Sequence, residues 1–206
     1  TQRLDGDRQP VRLRAGVAPL TALLAAGVTV AVGMDGTTLN DDEDMFTEIR
    51  LAMRLARTPT LDGPAPAPER LLEAATAGGA ALMGKAGALG RIAPGYAADL
   101  AVLDVERIVW PWVAPETDPR RLLVMRAQAG DVDTVLVAGE VVLKGGRPTR
   151  FDAEALGHEL ADRLSRTPYP EAGAAVAAAL NGPLRDYYRQ WVVPSLDPYA
   201  AFNSCR

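Results

Sequence analysis

The feature that most constrains this chain is the run from Val28 to Arg50, where an apolar strand ends on one acid and leads through a glycine loop into a helix. Val28, Val30 and Val32 are β-branched and alternate with small residues, the pattern of a short strand buried on both faces. The chain turns at Met34, Asp35 and Gly36, and Asn40 with Glu43 three residues on is expected to cap the next helix in a variant of the capping box. Met45, Ile49, Ala52, Met53 and Ala56 then recur at helical spacing as one apolar face. Asp41, Asp42, Glu43 and Asp44 crowd the start of that helix and Arg54 and Arg57 its end, as the macrodipole favours, so the acids read as a helix terminus rather than a cation site. Asp35 is thereby expected at the C-terminal tip of a buried strand, just before a helix. In parallel α/β folds that is where chemistry is carried out.

The flanking segments keep the same rhythm. Residues 18–26 read as a short helix with Pro19 in its first turn and Gly27 as its stop. A helix, a tight glycine turn, a strand and a second helix in succession belong to an α/β barrel or a doubly wound sheet. Residues 57–68 are rich in proline and cannot be helical, which makes them either a spacer or a segment that contacts substrate. Residues 69–83 form a further expected helix, in which Gly78 and Gly79 would each cost about 1 kcal/mol relative to alanine unless close packing requires them. The string from Gly79 to Ala86 nearly spells a phosphate-binding loop. It ends on Ala86 instead of a hydroxyl residue, and it follows a helix instead of a strand, so that reading is rejected.

Beyond Ala86 the pattern changes to short strands and turns. Residues 89–96 are expected to form a strand with a Pro94-Gly95 turn, and residues 98–104 another strand. Residues 118–127 suit a short helix with Pro119 at its first position, and residues 132–146 a hairpin turning at Ala138, Gly139 and Glu140. Trp110 and Trp112 are expected to pack between this β unit and the part before it. Residues 151–166 form an amphipathic helix through Leu156, Leu160 and Leu164, and a helix over 171–191 is expected to break near Asn181, Gly182 and Pro183.

The bulk properties exclude several classes of function. Net charge is −4 and the arginines are scattered, which argues against a nucleic-acid surface. No apolar run reaches the roughly 20 residues of a membrane helix. The one cysteine, Cys205, permits no internal disulfide, and with no signal peptide in view a cytoplasmic location is expected. A chain opening at Thr1 rather than methionine is expected of a trimmed or incomplete polypeptide, or of initiator removal.

Four segments in order resemble the C-terminal half of the amidohydrolase superfamily, in its branch of cytosine deaminases, guanine deaminases and triazine hydrolases. They are residues 12–19, residues 32–50 with Asp35, the alanine-rich helix over 73–84, and residues 90–104 together with the hairpin around 137–142. The resemblance implies an α/β fold: residues 1–85 would be the last strands and helices of a (β/α)8 barrel, 86–150 a small β-sandwich unit, and 151–206 C-terminal helices and tail. It also implies a divalent metal, zinc or iron, that lowers the pKa of a bound water toward ~7. Asp35 matches the last-strand aspartate that binds or faces the metal and shuttles a proton, and Thr37 and Asn40 lie on the loop where substrate would sit.

The departure from the family lies in the histidines. His158 is the only one, and with Glu154 and Asp162 four residues to either side it reads as part of a solvated helix face. The other metal ligands are therefore expected outside this chain, and the expected partner is a second copy in a homo-oligomer or the remaining N-terminal half of the enzyme. The expected substrate is a small heterocycle whose C–N bond is hydrolysed. The competing expectation is a degenerate, non-catalytic domain that keeps the barrel edge and β unit as an interaction surface.

Overall fold

The computed structural model describes residues 3–5, 17–34, 42–57, 63–167 and 171–190. They divide into two compact units, Thr1–Phe151 and Asp152–Arg206.

In the first unit, strand β1 (Arg3–Asp5) pairs in parallel with β2 (Ala31–Gly33), with Asp5 opposite Gly33. Helix α1 (Leu20–Ala25) ends at Gly27, whose φ of 71° lets the chain turn back into β2. Helix α2 (Met45–Leu55) follows β2, and α3 spans residues 68–82 as α-helix Pro68–Glu73, a π-helical turn Ala74–Gly78 and α-helix Gly79–Leu82. Val30 and Val32 meet Ile49, Ala52 and Met53 of α2, Leu71 and Ala74 of α3, and Leu20 of α1 in one hydrophobic core. Burial of Val30, Ala31 and Val32 in succession agrees with the strand expected to be covered on both faces.

The start of α2 corrects the sequence expectation. Its N-cap is Asp44, whose carboxylate accepts from the backbone N–H groups of Phe46 at 2.9 Å and Thr47 at 3.4 Å. Glu43 therefore precedes the N-cap instead of standing three residues after it, and Asn40 lies outside the described residues. Of four successive acids, the one adjacent to the first apolar-periodic residue takes the role, its side chain reaching the free N–H groups of the first turn.

The glycine pair in α3 has a definite cause. A Cβ on Gly78 would stand 2.2 Å from the carbonyl oxygen of Val30, so the helix backbone lies directly against the chain entering β2. A Cβ on Gly79 would meet nothing within 4 Å. Only the first of the two glycines is required by packing.

The second half of this unit contains β3 (Leu100–Leu103), α4 (Val105–Val109), α5 (Pro119–Arg126), a 3₁₀ turn (Ala129–Asp131), β4 (Val132–Val137), β5 (Glu140–Lys144) and β6 (Arg147–Pro148). The four strands form an antiparallel sheet in the order β3-β4-β5-β6. Asp118 caps α5 with Pro119 at its first position, as the sequence indicates. The β4–β5 hairpin turns at Ala138 (φ 50°) and Gly139 (φ 84°), two left-handed residues of the kind a tight two-residue hairpin needs. The strand expected over 89–96 is absent: these residues form bends and a turn, with Gly90 and Gly95 at positive φ breaking any extended run. Trp110 and Trp112 are 75% and 71% exposed, which corrects their expected role in packing.

The second unit contains α6 (Ala153–Arg166), capped by Asp152, and α7 (Glu171–Arg189). The break expected near Asn181 does not occur, and α7 runs through Pro183. The helix is solvated there, so water can satisfy the carbonyl that a proline N–H would have bonded.

Candidate active site

Every element around the candidate site follows from the path of β2. Parallel pairing sends β1 and β2 in the same direction, so their C-terminal residues Asp5 and Gly33 lie side by side at one end of the sheet. Met34 continues from that end. Asp35, Thr37 and Asn40, the residues expected to act, lie outside the described residues.

Beside β2 is a cavity of about 650 Å³. Its walls include Ala31, Val32 and Gly33 of the strand, Thr76 and Met83 of α3, and Asp99. The Asp99 carboxylate is committed elsewhere, accepting from the Ala138 backbone N–H at 2.7 Å and pinning the hairpin turn. The strand side of this cavity is small and apolar, suited to close approach by another chain segment or a flat ligand.

On the other side of β2, α2 carries Glu48, the one buried charged side chain among the described residues, 1% exposed. Sequence reasoning missed it, although a signal was present. Glu48 lies three residues after Met45 and four before Ala52, on the stripe that faces the core. A carboxyl group on an apolar stripe is costly to bury unless it is hydrogen-bonded or paired.

Arg50, two residues on, fixes α2 to the end of α5. Its Nε donates to the Val124 carbonyl at 3.2 Å and its Nη2 to the Ala127 carbonyl. Desolvation by burial lowers its pKa from the ordinary arginine value, with Asp44 opposing the shift and Arg54 adding to it.

Metal ligation finds little support among the described residues, where no group of three or more His, Cys, Asp and Glu side chains could hold an ion. His158 is exposed on α6, in the second unit, as the solvated-face reading anticipates. The described residues do not by themselves make a metal centre.

Comparison with known proteins completes the picture. The sequence model of the amidohydrolase family matches residues 4–142. A 5-methylthioadenosine/S-adenosylhomocysteine deaminase of Nitratidesulfovibrio vulgaris is 38% identical over 152 residues, covering 74% of this chain and 34% of that protein. The enzyme of the same name from Pyrococcus furiosus is 39% identical over 136 residues, covering 66% of this chain and 31% of that protein. Among solved structures, an adenosine deaminase from Xanthomonas campestris with bound zinc superimposes with a TM-score of 0.70 at 31% identity, over 79% of this chain and 37% of that one. Atrazine chlorohydrolase TrzN from Arthrobacter aurescens TC1, complexed with zinc, gives 0.66 at 29% identity, over 74% and 33%. The chain thus spans about a third of the length of the curated relatives it matches. With the family match running from β1 through the β4–β5 hairpin, across both the strand leading to Asp35 and the antiparallel sheet, this chain belongs to the amidohydrolase family.

Proposed function

We propose that this chain is the C-terminal portion of a metal-dependent hydrolase that cleaves a non-peptide C–N bond by deaminating a heterocyclic ring. The adenine ring named in its relatives' substrates is the most concrete form. In this reading residues 1–85 complete a (β/α)8 barrel, 86–150 form part of a β-sandwich, and 151–206 are appended helices. The observation that supports it is the parallel pairing of β1 with β2, whose C-terminal residues lie side by side, with Asp35 two residues beyond β2 in the sequence.

Asp35 is the residue to which the chemistry is assigned. Water adds to the ring carbon bearing the amino group, and ammonia leaves. The carboxylate takes the water's proton and delivers it to the departing nitrogen. Thr37 and Asn40, on the loop that follows, are assigned to substrate. The reaction also needs a divalent metal, zinc or iron. Its remaining ligands are assigned to polypeptide outside this chain, in the N-terminal part of the enzyme.

The test is metal analysis and ammonia release by the intact protein, with an adenosine-type substrate and an Asp35→Asn variant. Stoichiometric metal in the wild type, and a loss of about 10²-fold or more in turnover on substitution, is the expected result. Full activity in Asp35→Asn would remove that carboxylate from the chemistry, and an intact protein that binds no metal and releases no ammonia would leave the chain as a non-catalytic relative.

A further inference from the structure

We propose that the cavity between α2, α4 and the 3₁₀ turn before β4 binds a small, multiply charged anion of the phosphate class. It has a volume of about 450 Å³, and its lining includes Arg50, Arg54, Arg107 and Arg126 together with Trp110 and Asp131. Four arginines and one carboxylate residue thus line the same cavity, on a chain whose overall net charge is −4.

Three of the four arginines are held by neutral partners. Arg50 donates to the carbonyls of Val124 and Ala127, Arg107 Nη1 to that of Gly130 at 2.8 Å, and Arg126 to those of Trp110 and Trp112. Carbonyls fix the direction of a guanidinium without cancelling its charge. Asp131 offsets one charge, standing 3.8 Å from Arg107 Nε, and Asp44 acts on Arg50 from outside the lining. An excess of positive charge remains in a concave site, where field lines concentrate and anions collect.

Arg54 is exposed, one helical turn from Arg50, and its guanidinium makes no hydrogen bond or ion pair with the described residues. Like charges four residues apart on a helix oppose each other, and Arg54 contributes to the lowered pKa of Arg50. Satisfying the C-terminal carbonyls of α5 accounts for Arg50, but it does not require four guanidinium groups to converge. A tetrahedral oxyanion relieves the repulsion and accepts the planar fork of Arg54 in the paired geometry that arginine favours.

The experiment is a titration of the intact protein with inorganic phosphate at constant ionic strength, with chloride as the control and tryptophan fluorescence and melting temperature as readouts. The expected result is a saturable response absent with chloride, with half-saturation raised about tenfold in Arg54→Ala, as loss of a charge-assisted hydrogen bond implies. Arg54→Lys should fall between the two. Arg54 is exposed, so its removal should move the phosphate-free melting temperature only slightly, upward if relief of the repulsion with Arg50 is felt, and the variant reports on binding rather than folding. An equal response to chloride, or unchanged half-saturation in Arg54→Ala, overturns the proposal.

Discussion

Gly78 of α3 lies against the carbonyl oxygen of Val30, so closely that a Cβ at this position would stand 2.2 Å from it. Both sides of the contact are backbone, and neither can swing aside. Gly78→Ala should destabilise the fold by about 1–3 kcal/mol, the usual result of overpacking. Gly79→Ala, one residue on and facing open space, should stabilise it by roughly 0.5–1 kcal/mol through the lower entropy of the unfolded chain. Denaturant midpoints of the two variants should move in opposite directions. A shared direction would refute the contact.

Asp44, rather than Asn40, caps α2. Asp44→Ala should lower stability by about 0.5–2 kcal/mol, through loss of the bonds from Phe46 and Thr47. Thermal unfolding monitored by circular dichroism checks this. Asn40→Ala should cost nothing through helix capping.

Arg50 joins α2 to the carbonyls at the end of α5. Arg50→Met keeps much of the side-chain length but leaves those carbonyls without their donor, and should cost about 1–3 kcal/mol. Arg50→Lys should recover only part of the loss, because one ammonium cannot reproduce two diverging N–H donors. Equal stability of Arg50→Lys and wild type in urea titration would contradict this.

The side-chain hydrogen bond from Arg120 holds the carboxyl of Asp118 below the ordinary carboxylate range, and the Arg120 guanidinium is raised in turn. A folded-state pKa below the unfolded one contributes stability that is present above the unfolded value and is lost as pH falls through the folded value. The pair is solvent-exposed, so the effect should be small and should shrink in salt. A carboxyl titration by NMR should show Asp118 returning toward the ordinary range in Arg120→Ala. An unchanged titration would exclude the hydrogen bond as the cause.

Much of this fold could be read from residue patterns. The valine alternation before Met34, the Pro119 start of α5 and the hairpin at Ala138-Gly139 each depend on forces acting within a few residues, and each appears where expected. The misses are positions where tertiary packing or solvent decided the outcome. Four consecutive acids offered several caps with the same local chemistry. The exposure of Trp110 and Trp112 depends on which elements come to lie beside them. The π-helical turn over Ala74–Gly78 leaves no mark in hydrophobic periodicity, and it ends on Gly78, which lies against Val30 more than forty residues away. For the site, sequence alone pointed to Asp35, Thr37 and Asn40. It passed over Glu48, whose burial is visible only once α2 is seated against the core.

The π-helical turn in α3 winds one additional residue into the helix without extending its axis by a full step. Each residue of an α-helix advances about 100° around that axis. Leu71 and Ala80, nine residues apart, would lie on opposite faces of a regular α-helix, yet both are buried. The spare residue therefore acts as an angular shim: taken up within the wider turn, it brings the segments on either side of it toward a common apolar face.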